Sequence, residues 1–203
     1  MARPTRARAR QQPDETRSLI LDTAEELLRT RPFRELSVDE VMRPTGYGRT
    51  VFYRHFAGLP DLVLAVLARV LPEFQQATQA FVAAAGEDLD LDRARELLRP
   101  VVEHWAAHGT LIRALRDAAV YDRTIEGLVA TTQERFRALV VTALERRREA
   151  GSLREADLVE VAHMLESMNQ RYLMIRFGEG RSTDVEQAID TLALGWLAII
   201  TAP

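Results

Sequence analysis

Apolar residues recur every three or four positions along most of the chain, and no strand-like alternation persists anywhere. This pattern predicts an all-α fold of about nine helices. The first opens at Pro13-Asp14-Glu15, with Asp14 as a candidate N-cap. Leu19, Ile20, Thr23, Ala24, Leu27 and Leu28 form its buried stripe, and Pro32 ends it. Ser37-Val38-Asp39-Glu40 reads as a capping box opening a second, short helix that Pro44-Thr45-Gly46 stops. A third short helix covers about Gly48 to His55. The fourth runs from Pro60 or Asp61 to about Ala85, with a kink expected at Pro72. The fifth (about Asp92 to His108, kinked at Pro100) and the sixth (about Leu111 to Ala118) are separated by Gly109. The seventh runs from about Asp122 to Ala150, with Arg146, Arg147 and Arg148 in its last turns and Gly151 closing it. The eighth spans about Glu155 to Arg176, and the ninth about Thr183 to Ile200. Gly178-Glu179-Gly180 between them reads as a flexible break.

Composition narrows the class. The 203 residues contain no cysteine, so disulfides and thiolate metal sites are excluded. The longest apolar stretch, Leu192 to Ala202, falls short of the roughly 20 residues a membrane span requires. The basic opening MARPTRARAR is followed by no apolar segment, unlike a signal peptide. A soluble cytoplasmic chain without a membrane partner is expected. Net charge is −3, but it is unevenly spread: residues 1–60 carry 11 Arg and 8 acids, leaving the remainder acidic. A basic head on an acidic body suits a nucleic-acid-reading module attached to something else, although chance asymmetry gives the same numbers.

Ser37 to Phe56 has the layout of a helix-turn-helix: two short helices joined at Gly46, where a sharp turn favours positive φ. Val38, Val41 and Met42 face a small core from the first helix, and Val51, Phe52 and Phe56 from the second. Arg49, Thr50, Tyr53 and Arg54 are then left outside. Arginine reads guanine bidentately in the major groove, while Tyr53 and His55 suit phosphate oxygens. Tyr47 in the turn reaches either backbone or a thymine methyl. A plain helical hairpin with a solvated face fits the same spacing. Arg3, Arg6, Arg8 and Arg10 form a basic arm suited to the minor groove, or a solvated tail.

Beyond the head, Leu158, Val161, Ala162, Leu165, Asn169, Tyr172 and Leu173 form one stripe. Asn169 is thus an amide on an apolar face, and needs a partner from a neighbouring helix or from a bound carbonyl. His104 and His108 stand four residues apart, but no third ligand and no HExxH glutamate accompanies them, so no metal is expected. Neither Gly46-x-Gly48 nor Gly178-x-Gly180 is a phosphate loop, and the chain has no lysine and no cysteine nucleophile. No enzyme and no cofactor is expected.

The segment FRELSVDEVMRPTGYGRTVFYRHFAGLPDL resembles the N-terminal domain of the TetR family of transcriptional regulators, above all in Phe52-Tyr53-Arg54-His55-Phe56. The resemblance implies a ligand-responsive repressor with candidate DNA contacts at Ser37, Thr45, Tyr47, Arg49, Thr50, Tyr53, Arg54 and His55. Tyr53 falls where the family contacts phosphate, and Arg49 where it makes a helix-start contact. The chain departs from the family in having Gly48 where serine is usual, Pro44 in the turn, and Leu59-Pro60-Asp61 where a lysine is usual. Met168-Asn169-Gln170-Arg171 and Trp196 resemble the EthR-like branch of that family. That implies an apolar effector held at Asn169 and Trp196, with Trp105, Phe136, Tyr172 and Leu173 alongside. A second branch asparagine is replaced by Glu166. The resemblance also implies a homodimer through the helices near 155–176 and 183–200. The expected organisation is a disordered basic arm over 1–13, a helix-turn-helix domain over 14–60 with the family motif to about 74, and an effector-binding and dimerisation domain over 61–203. A helical small-molecule-binding or adaptor protein with a non-functional DNA head is the alternative.

Overall fold

Ala, Leu, Glu and Arg, all good helix formers, dominate the long helices of the structure, a computed structural model that describes residues 6–153, 156–180 and 184–201 (for 6–13 the backbone alone). Helix α1 covers Arg6–Thr30 and is followed by a short 3₁₀ turn, Phe33–Glu35. Then come α2 (Val38–Met42), α3 (Arg49–Phe52) and α4 (Leu59–Ala85). Helices α5 (Leu91–Ala119) and α6 (Arg123–Glu149) follow. Helix α7 (Leu158–Leu173) runs on into a wide π-helical turn, Met174–Gly178, and α8 covers Val185–Ile200. The described residues hold no strand.

The all-α class stands, with eight α-helices among the described residues instead of nine. The difference lies at Gly109, which is not a break: α5 passes through it without interruption. A Cβ built there would lie 2.7 Å from the Phe177 carbonyl carbon and 2.9 Å from the Gly178 nitrogen. Gly109 is small because the π turn lies against it. Gly178, read as part of a flexible break, is buried in that turn. The helices also continue through Pro72 and Pro100. At the other end α1 already includes Arg6, the first described residue, so Asp14 lies inside a helix instead of capping one, while Arg3 falls outside the described residues. The last two helices start where aspartates cap them. Asp157 accepts from the Val159 and Glu160 amides, and Asp184 from the Gln187 amide.

The chain divides into two units, Met1–Arg69 with Ala114–Glu126, and Val70–Arg113 with Gly127–Pro203. In the first, Ile20, Ala24 and Leu28 of α1 are buried with Val41, Met42, Phe52, Phe56 and Val66. Arg69 closes onto Asp22 at 2.7 Å. The second unit is centred on Phe81, Leu98, Val102, Leu144, Leu165, Ile189 and Trp196. Its α5 and α8 are tied at the surface by Arg95–Asp190 at 2.7 Å and a bidentate Arg99–Glu186 pair. Arg147 is buried, and among the described residues no carboxylate pairs with it. Its Nε donates to the Ile200 carbonyl at 3.0 Å, and its Nη1 to the Ala85 carbonyl at 3.4 Å and to that of Glu87. These oxygens sit at or just past the C-terminal ends of α8 and α4, where unpaired carbonyls gather negative potential that offsets the buried charge.

Candidate functional site

In the first unit the capping box forms as the spacing requires. Ser37 Oγ accepts from the Glu40 amide at 3.3 Å, and Glu40 Oε2 accepts from the Ser37 amide at 2.9 Å. These bonds, with Arg31 beside the carboxylate, hold Glu40 below the usual carboxylate range; the Ser37 hydroxyl is the largest cause. Thr45 is used by the turn, its hydroxyl donating to the Met42 carbonyl at 2.7 Å and accepting from the Tyr47 amide at 3.2 Å. Gly46 has φ +74°, the left-handed conformation the sharp turn calls for.

Helix α3 is shorter than the spacing suggested. It ends at Phe52, and residues 53–55 continue as tighter turns, with the Arg54 amide donating to the Val51 carbonyl and the His55 amide to that of Phe52. Phe52 and Phe56 anchor this segment from inside. Tyr47, Arg49, Thr50, Tyr53 and Arg54 all stand exposed on its outer side, and His55 is half-buried against Phe56. Arg49 is not free: its guanidinium meets Asp39 Oδ2 at 3.2 Å. The Tyr53 phenol first, and the Asp39 carboxylate second, push its pKa up. Where the lysine is missing, the Asp61 carboxylate accepts from the Ala57 amide at 2.8 Å and pins the chain entering α4.

The second unit brings most of its predicted residues together. Trp196 is fully buried, and its indole donates to Asn169 Oδ1 at 3.0 Å. An indole N–H can only donate, so that contact fixes which end of the amide faces it and leaves Nδ2, with two donors, turned elsewhere. Phe81 meets the Trp196 ring edge-on at 4.8 Å. Trp105 is buried and Phe136 half-buried at the same core. Tyr172 is half-buried beneath the Arg176 guanidinium, while Leu173 is deep core. One half of this core is closed less completely than the other. Inward residues Phe74 and Thr78 of α4, Gln133, Phe136 and Arg137 of α6, and Asn169, Gln170 and Tyr172 of α7 are only partly buried. Further along, Phe81 and Val82, then Val140, Ala143 and Leu144, are sealed. The Thr78 hydroxyl oxygen is itself out of solvent with no hydrogen-bond partner.

Glu166 is buried and faces Arg137, 3.6 Å away, with Gln170 and Gln133 meeting at 3.4 Å one turn on. His104 is buried against Phe74 (ring centroids 5.2 Å apart), with His108 at 4.7 Å. Burial, and then the neighbouring imidazole, push the His104 pKa down to about 4. Among the described residues no cluster of three or more His, Cys, Asp or Glu side chains gathers around the pair. Sequence reasoning missed Phe81, Thr78, Asp39 and Arg137. Phe74, Thr78 and Phe81 follow helical spacing along α4, a signal that was readable. The Asp39–Arg49 and Arg137–Glu166 pairings depend on tertiary placement.

The comparisons with known proteins agree with both halves. The sequence model described as "Bacterial regulatory proteins, tetR family" matches residues 20–66. That for "Transcriptional regulator EthR, C-terminal domain" matches 94–202, more than half of the chain. The HTH-type transcriptional regulator EthR of Mycobacterium tuberculosis (strain CDC 1551 / Oshkosh) is 30% identical over 200 residues, 96% of this chain and 91% of its own. EthR of Mycolicibacterium smegmatis is 25% identical over 95% of this chain and 89% of its own. The solved TetR-family regulator PfmR of Thermus thermophilus shares the fold, with a TM-score of 0.65 over 90% of this chain and 99% of that one at 16% identity. So does SmeT, the repressor of the Stenotrophomonas maltophilia multidrug efflux pump SmeDEF, with a TM-score of 0.63 over 90% and 88% at 22% identity. Among the described residues no helix is long and apolar enough to cross a membrane. The chain belongs to the TetR family of bacterial regulatory proteins and is a DNA-binding transcriptional regulator of the EthR type.

Proposed function

We propose that the chain is a repressor that holds double-stranded operator DNA as a homodimer and releases it on binding a small, largely apolar effector. The carrying observation is the outer side of the α3 segment, where Tyr47, Arg49, Thr50, Tyr53 and Arg54 stand exposed while Phe52 and Phe56 are sealed beneath them. That is a rigid base presenting two cations and three hydroxyl groups, suited to phosphates and guanine edges. Ser37 and Thr45 act by shaping the turn, since capping and turn bonds engage their hydroxyls.

The effector site is the less closed half of the second unit's core, bordered by Trp105, Phe136, Tyr172 and Trp196, with Asn169 Nδ2 as its hydrogen-bond donor. An apolar hollow with a few aimed polar groups is the usual form of such a site. Helices α7 and α8 supply the dimer contact through Met164 and Leu194, both half-exposed. Gly195 of α8 faces Met168 of α7, where a Cβ would make an ordinary contact with Sδ at 3.4 Å. A two-fold pairing there sets the heads about 34–36 Å apart or a multiple of it. An effector that favours another spacing lowers the DNA-competent population; coupling of ~1–3 kcal/mol shifts operator affinity about 5–150-fold.

The test is binding of the purified chain to a labelled fragment of its own upstream region at two salt concentrations, beside a Tyr53→Phe, Arg49→Ala double variant. Specific, salt-steep binding that the double variant loses supports the reading. A chain that binds small apolar molecules but no DNA at low salt overturns it in favour of an adaptor with a retired head.

A further inference from the structure

Burying a carboxylate is costly unless it is paired and hydrogen-bonded. Glu166 is buried as a residue with its oxygens still reaching solvent, and among the described residues its ion-pair contact, to Arg137 at 3.6 Å, is too long for a hydrogen bond. No hydrogen-bond donor among the described residues reaches its oxygens. The interior Arg147 offers a contrast, with carbonyls engaging it from several sides. One turn along the same buried face of α7, Asn169 has spent its oxygen on Trp196 and keeps two N–H donors uncommitted. Side chains one turn apart on a helix have Cβ atoms about 5–6 Å apart. A planar amide bridges that spacing with one hydrogen bond at each end. Acceptor and donor thus stand side by side, where neighbouring inward residues of α4, α6 and α7 are only partly covered.

We infer that Glu166 is a specificity-determining residue of the effector site, selecting an apolar molecule with a neutral secondary carboxamide or lactam: the carbonyl accepts from Asn169 Nδ2 and the N–H donates to Glu166. This rests on the effector-site reading above. Charge excludes the neighbouring chemistries. A cationic amine at Glu166 would lie beside the Arg137 guanidinium, and a carboxylate beside Glu166 itself. An ester or ketone satisfies Asn169 but covers Glu166 without offering its carboxylate a donor, and a charged acceptor taken out of water without a partner carries a large penalty.

The experiment is calorimetric titration of the full chain with a matched pair, N-hexylbenzamide and hexyl benzoate, which differ at N–H against O. The wild-type chain binds the amide roughly ten- to a hundredfold more tightly, the effect of one hydrogen bond to a charged group. This is a strict comparison, because the amide is the harder of the two to desolvate. In Glu166→Leu the preference shrinks to within about threefold while the ester binds as well or better. Glu166→Gln keeps shape and one acceptor oxygen, and serves should the leucine variant not fold; its preference falls several-fold, and an unchanged preference there overturns the inference. Equal affinity in the wild type, with both compounds weakened by Asn169→Leu, leaves the effector site standing and removes the role of Glu166. If neither compound binds, the site and the inference fall together.

Discussion

Arg49 is held between Asp39 and Tyr53, so DNA must compete with a carboxylate for it. An exposed pair contributes little to folding, and salt weakens it. Its influence on binding is larger, because the same carboxylate repels phosphate. Asp39→Asn is therefore expected to tighten binding to non-specific duplex at low salt by about two- to fivefold. Fluorescence anisotropy across a salt series checks this, and the gain should fade as salt rises. His104 obeys a different rule. Its folded pKa of about 4 lies below the ordinary histidine value of 6.5 because burial disfavours the imidazolium and His108 adds like charge. Between those values the unfolded chain binds the proton and the folded chain does not, so stability rises with pH across that window and is fully present only above it. Acidification from pH 7 to 5 should cost about 2 kcal/mol at this one residue. Denaturant unfolding at both pH values, beside His104→Leu, isolates it: the variant should lose about that much less on acidification.

At the level of elements, glycines and one arginine decide how the helices meet. Replacing glycine by alanine inside a helix ordinarily stabilises it by about 1 kcal/mol. Gly109→Ala should do the reverse, because its Cβ would press on the Phe177–Gly178 backbone, which has no side chain to swing aside. A loss of roughly 1–3 kcal/mol in stability, read from the denaturant midpoint, is expected. Arg147→Met keeps the volume but strands the carbonyls of Ala85, Glu87 and Ile200. Its cost should be about 1–3 kcal/mol, that of a buried acceptor left unmet, by thermal or denaturant unfolding, and a near-neutral result would sink the clamp. These two residues also mark the limit of what the chain displayed in one dimension. Helical period, the Ser37–Glu40 box and the Gly46 turn were legible because each depends on neighbours within four residues. Gly109 read as a break because local propensity cannot tell a glycine that ends a helix from one that lets another segment approach. Arg147 read as an end-of-helix cation on the strength of α6 alone, whereas its partners lie on segments 53 to 62 residues away. Asn169 was legible as a polar residue on an apolar stripe, and its partner Trp196 was in view only through family resemblance. Glu166 was in view only through the family resemblance, as the replacement of a branch asparagine, and nothing local pointed to Arg137.

For the whole molecule, the half-exposed Met164 and Leu194 need covering more than most surface residues do. Single exposed apolar residues are ordinary on any protein. These two lie on adjacent helices, where Gly195 faces Met168, and Thr191 and Ala198 beside Leu194 add small exposed groups over which a second copy can pass closely. Two of the charges nearby are committed within the chain, Asp190 to Arg95 and Arg171 to Glu179. A two-fold pairing across this face requires each changed residue to appear twice. Leu194→Arg places two like charges in one apolar contact, and should give a monomer by sedimentation velocity with an unchanged helical signal. DNA binding then supplies the functional readout. A dimer engages its second half-site at the effective concentration its partner head provides, a gain of about 10²–10⁴. The monomeric variant should lose an affinity factor in that range on an operator with two half-sites, yet bind a single half-site as the wild type does. A variant that stays dimeric, or that loses half-site binding equally, places the dimer contact elsewhere or shows that the substitution has damaged the head itself.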